Sequence, residues 1–154
     1  MMYLVEPILT AMKKEMKIYI LDDNEYFGTM LKESLSNKNR IVKCFQSEIE
    51  FIRRLKDMPD IIILDHTLEH CTGLEVLEVI KRKCGPVPNV IYLSAQEHLT
   101  VTLKALRNGA VEYIEKGLTP LEYVENIISK ISKHTSHFET PLNLTNYRSD
   151  STVY

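Results

Sequence analysis

Asp22 and Asp23 directly follow the apolar run IYIL (18–21), and Asp65 directly follows IIIL (61–64). Two other polar residues occupy equivalent places: Ser94 follows VIYL (90–93), and Lys116 lies just past VEYI (111–114). If these runs are strands of one open parallel sheet, their carboxyl ends share a rim, which is where such sheets bind ligands. Three carboxylates, a hydroxyl and an ammonium then converge. Carboxylates held that close repel one another unless a cation intervenes, and hard oxygen donors suit Mg²⁺. Mg²⁺ takes one or two carboxylates plus phosphate oxygens, so the rim is suited to a phosphoryl group. Lys116 and the Ser94 hydroxyl can neutralise or hydrogen-bond the charge spread over a phosphoryl group in transfer. A carboxylate can serve as the nucleophile, forming an aspartyl-phosphate. Asp65 ends the most apolar run and is the best-placed candidate.

That chemistry requires elements able to deliver the five residues to one edge. The runs IYIL, IVKCF (41–45), IIIL, VIYL and VEYI are short, rich in Ile, Val and Tyr, and mostly continuous. Strands covered on both faces read this way. Helical patterns lie between them. Phe27, Leu31 and Leu35 are spaced by four, and Ser47 with Glu50 forms a capping box ahead of Ile49, Ile52 and Leu55. Gly73 precedes Leu74, Leu77 and Ile80, and Leu99, Leu103 and Leu106 form a further stripe that Gly109 would stop. Thr119, Pro120 and Glu122 read as N-cap, N1 and N3 of a last helix carrying Val124, Ile127, Ile128 and Ile131. Five strand–helix repeats predict a three-layer α/β fold with right-handed crossovers.

The whole chain sets outer limits. Its 154 residues suffice for one domain, expected over 16–133, with an extension at 1–15 and a polar tail at 134–154. A formal charge of -2 argues against nucleic-acid binding, for which a basic stripe is usual. Three cysteines without metal-type spacing fit reduced thiols in a cytoplasmic protein. Glu6 and Pro7 break the apolar stretch near the start, so neither a signal peptide nor a membrane span is expected. His66, His70 and Cys71 offer no fourth ligand for a zinc site.

In order, DD (22–23), IIILD with Gly73 eight residues past Asp65, YLSA (92–95) and YIEK (113–116) resemble the response-regulator receiver family. The resemblance spans 17–133. It implies a flavodoxin-like doubly wound sheet in the order 2-1-3-4-5, and a stand-alone signalling switch of a two-component system or phosphorelay. Asp65 is then the phosphoacceptor, and Asp23 and Asp65 are direct Mg²⁺ ligands. Asp22 acts mainly through metal-bound water, and the Thr67 backbone carbonyl is a further ligand. Lys116 pairs with Asp65 and afterwards with the phosphoryl group, while Ser94 and Tyr113 occupy the hydroxyl and aromatic switch positions. The implied partners are a sensor histidine kinase or phosphotransfer protein and a separate downstream protein target. No enzyme activity of its own is expected. Two positions depart from the family: Gly117 replaces the usual proline, often cis, after the lysine, and Glu69 replaces a common loop proline.

Each piece alone has an ordinary reading. A DD pair is often a helix N-cap, a lone lysine a loop charge, and a strand tyrosine a packing residue. Two other functions compete with the switch. One is a binding module whose receiver site has decayed, although all the reacting groups are present. The other is a small aspartyl-phosphate phosphohydrolase, which needs an acid near the nucleophile; two residues past Asp65 stands Thr67 instead.

Overall fold

A computed structural model describes residues 14–95, 98–117 and 121–136. Five parallel strands, β1 (Met16–Leu21), β2 (Arg40–Phe45), β3 (Ile61–Asp65), β4 (Asn89–Ser94) and β5 (Ala110–Glu115), form one sheet in the order β2-β1-β3-β4-β5. This is the expected flavodoxin-like order. All five apolar runs became strands, each one or two residues longer than the run. The central strand β3 is buried along its whole length, which explains its unbroken IIIL.

Helices cover both faces. α1 (Glu25–Leu35) and α5 (Leu121–Ser136) pack on Ile18, Ile20, Ile61, Ile63, Ile91, Leu93 and Ile114. α2 (Glu48–Arg54), α3 (Gly73–Lys83) and α4 (Leu99–Arg107) cover the face of Tyr19, Leu21, Ile62, Leu64, Val90 and Tyr92. α1 is capped by the Asn24 side chain and α3 by a full capping box of Thr72 and Glu75.

The helix stripes were less accurate than the strands. In α2 the Ser47 side chain does accept the Glu50 N–H, and of the expected apolar residues Leu55 is buried and Ile52 packs on the core, but Ile49 is 65% exposed and Phe51 enters the core in its place. The helix is short, and the chain after it tightens to 3₁₀ over Leu55–Asp57. In α4 the predicted stripe faces outward: Leu99 is 72% exposed and Leu103 and Leu106 42%, while Ala105 alone is buried. α5 continues through His134 to Ser136, past the expected boundary at Lys133. The expected caps Thr119 and Pro120 lie outside the described residues, as do the extension up to residue 13 and the tail from 137.

One irregularity sets the register at the rim. Val90 pairs with Ala110 but Ile91 with Glu112, so Val111 is an extra residue bulged out of β5. Side chains alternate faces along a strand, and the bulge reverses that parity. Tyr113 therefore stands beside Tyr92 on the α3–α4 face, and Lys116 arrives beside Ser94.

Candidate phosphoacceptor site

The carboxyl ends of β1, β3, β4 and β5 bring the predicted residues to one edge. Asp65 and Ser94 are the last residues of β3 and β4, and Asp22 and Lys116 follow β1 and β5 directly. Asp22 is fully buried, Asp65 is 3% exposed and Ser94 2%. Asp23, one residue on, faces solvent. Backbone hydrogen bonds fix the rim: Asp22 N–H donates to Phe45 C=O at 3.1 Å, His66 N–H to Leu93 C=O at 2.8 Å, and Lys116 N–H to Ser94 C=O at 2.7 Å.

Lys116 holds the charges together. Its ammonium lies 2.6 Å from Asp22 Oδ2 and 3.1 Å from Asp65 Oδ1, and 4.5 Å from the centre of the Phe27 ring. The expected Lys116–Asp65 pair is thus present, but the shorter contact goes to Asp22. Asp22 Oδ1 accepts the Asn24 N–H at 2.9 Å, whereas the buried Oδ2 meets only the ammonium and no directed hydrogen bond. Burial pushes the Asp65 carboxyl up to about 6; Asp22 adds to the rise, and Lys116 opposes it. A buried carboxylate in this state gains from any added positive charge.

Carboxylate oxygens of Asp22, Asp23 and Asp65 lie within 4.8 Å of one another, the one such cluster of potential ligands among the described residues. An all-oxygen donor set, a buried oxygen lacking a directed bond and a carboxyl raised by burial and by Asp22 fit a hard divalent ion. Thr67 is exposed and bridges to Thr72 at the base of the β3–α3 loop. Glu69 is exposed on the same loop. The Lys116–Gly117 peptide is trans, and Gly117 takes φ +87, a region open to glycine but closed to proline. His70 and Cys71 turn to the buried carboxylate of Glu48 instead of joining His66.

Two features went unread in the sequence. Phe27, taken only as a core residue, lies under the lysine head. Tyr92, taken only as a strand residue, reaches His66 Nδ1 with its hydroxyl at 2.6 Å and stacks on Tyr113 with ring centres 6.1 Å apart. A tyrosine inside the apolar run VIYL was the available signal, because its buried hydroxyl needs a partner.

Comparison with known proteins agrees with this geometry. The model of the response regulator receiver domain matches residues 18–128. A protein-glutamate methylesterase/protein-glutamine glutaminase of Pyrococcus horikoshii is 30% identical over 137 residues, covering 81% of this chain and 36% of that protein. The chain thus spans about a third of the curated relatives it matches. Among solved structures, the response regulator domain of Thermotoga maritima CheB is 26% identical, with a TM-score of 0.66 over 80% of this chain and 98% of that one. A CheY-like receiver domain from Methanospirillum hungatei shares the fold, with a TM-score of 0.70, 21% identity and coverage of 80% and 99%. Among the described residues no helix is long and apolar enough to cross a membrane. The chain belongs to the response regulator receiver family of two-component signalling.

Proposed function

We propose that this receiver takes a phosphoryl group onto Asp65 from a histidine kinase or phosphotransfer protein and signals to a separate protein target. The observation that carries the reading is the Lys116 ammonium seated between buried Asp22 and Asp65. One Asp65 oxygen forms the new bond to phosphorus as the bond between phosphorus and the donor breaks, and the donor group leaves with that electron pair. Lys116 then follows the negative charge from the carboxylate to the phosphoryl oxygens. Asp23, Asp65 and the Thr67 carbonyl would hold Mg²⁺, with Asp22 acting through bound water, and the ion would supply positive charge for phosphoryl transfer. Ser94 turns its hydroxyl to the phosphoryl group, and Tyr113 packs inward.

The target meets the surface of α4, β5 and α5, where Leu99, Leu103, Leu106 and Val111 are exposed. Contact occurs through protein surfaces, and no nucleic acid takes part. The test is intact-mass analysis after incubation with Mg²⁺ and acetyl phosphate. Wild type should gain one phosphoryl group, and the gain should vanish with chelator and in Asp65→Asn. An unmodified wild type under these conditions favours a module working without phosphorylation.

A further inference from the structure

Tyr92 is fully buried in β4, and its hydroxyl is a polar group inside the core. Such a group is retained at a cost unless it is hydrogen-bonded. Here it closes on His66, the residue immediately after Asp65, at 2.6 Å. It also lies over the start of α3: a Cβ on Gly73 would come within 2.9 Å of this oxygen and 2.3 Å of the Asp65 carbonyl. The β3–α3 loop is closed at the same point by the Gly73 N–H donating to His66 C=O at 2.8 Å. One hydroxyl thus touches both ends of the loop that leaves the phosphoacceptor and carries Thr67.

The same side chain faces the other way with its ring. Tyr92 and Tyr113 are paired in the β4–β5 register and their rings lie 17° from parallel. That stacking exists because of the bulge at Val111, which puts residue 113 opposite residue 92. Displacing His66 or the loop base pulls on a rigid phenol whose far face is Tyr113.

We propose that Tyr92 is a positioning residue, linking the loop after Asp65, through its hydroxyl on His66, to the Tyr113 ring through its face. The proposal rests on the phosphoacceptor reading above. It adds a second connection to Tyr113, separate from the Ser94 hydroxyl. A tyrosine serving packing alone would leave the response of Tyr113 unchanged when only its hydroxyl is removed.

The experiment is NMR of the full chain titrated with Mg²⁺ and beryllofluoride, a phosphoryl mimic, following the Tyr113 ring and the amides of 66–73. In wild type both sets should shift together. Tyr92→Phe keeps the ring and the strand; it should still bind the mimic, with loop shifts retained and the Tyr113 shift reduced to about half or less, the remainder coming through Ser94. His66→Phe should behave alike. His66→Asn, which keeps an acceptor near the Nδ1 position, should restore the Tyr113 shift. A wild-type Tyr113 response in Tyr92→Phe with the mimic bound overturns the proposal, and so does loss of mimic binding in both phenylalanine variants. Failure of wild type itself to bind the mimic would instead overturn the phosphoacceptor reading.

Discussion

α3 and α4 lie next to each other on the same face of the sheet, and they are held very differently. α3 begins in a reciprocal Thr72–Glu75 capping box and buries Gly73, Val76, Leu77 and Ile80. α4 begins at His98 without a side-chain cap bond and buries only Ala105. Both carry leucines at helical spacing, yet those of α4 face solvent. A helix whose anchoring apolar area is small opens or shifts at little cost. The α3 side is therefore the fixed frame of the rim, and the α4 side is the part free to respond.

Substitutions can break that contrast, beginning with the largest effect. Leu77→Ala in α3 should cost about 3 kcal/mol in urea unfolding, because it empties a fully enclosed site. A cost below about 1 kcal/mol would mean α3 is no better packed than α4. Gly73→Ala should cost about 2 kcal/mol and slow adduct formation, since its methyl group meets the backbone carbonyl of Asp65. Normal stability and normal phosphorylation in that variant would show that the loop base is loose.

The acidic rim offers a chemical probe. In the metal-free protein the Asp65 carboxyl is pushed up to about 6, against roughly 3.9 in an unfolded chain. The folded state then holds that proton more tightly than the unfolded one. The contribution of Asp65 to stability is complete below the unfolded value and is lost as pH rises through about 6. Asp65→Asn cannot ionise, so with chelator at neutral pH it should be more stable than wild type by on the order of 1 kcal/mol. The gain should shrink toward acidic pH, and Mg²⁺ should reverse it by stabilising wild type alone. Equal melting curves for the two proteins at every pH would contradict the buried-charge description. The smallest effect belongs to α4: Leu103→Ala should change stability by no more than about 0.5 kcal/mol, and a larger loss would place that leucine in a packed interface.

Much of this organisation was legible in the residues. Apolar strands buried on both faces announce themselves by continuity, and Asp22, Asp65, Ser94 and Lys116 were locatable because each follows such a run. Helix faces were harder to read, since a leucine stripe marks a helix without saying what covers it. The stripe of α4 therefore pointed to a core it does not join, and that of α2 included the exposed Ile49 and left out the buried Phe51. The burial of Asp22 and exposure of Asp23 were also hidden, because which of two adjacent carboxylates turns inward depends on where the strand ends. The Tyr92–His66 contact joins residues 26 apart in sequence and needs the sheet register to be seen.

The most direct measurement locates the phosphoryl group itself. After incubation with Mg²⁺ and acetyl phosphate, borohydride reduction converts an aspartyl-phosphate to homoserine, and peptide mass mapping identifies the residue. The geometry predicts homoserine at position 65 and at neither 22 nor 23. Conversion at position 22 or 23, or at no position, would contradict it.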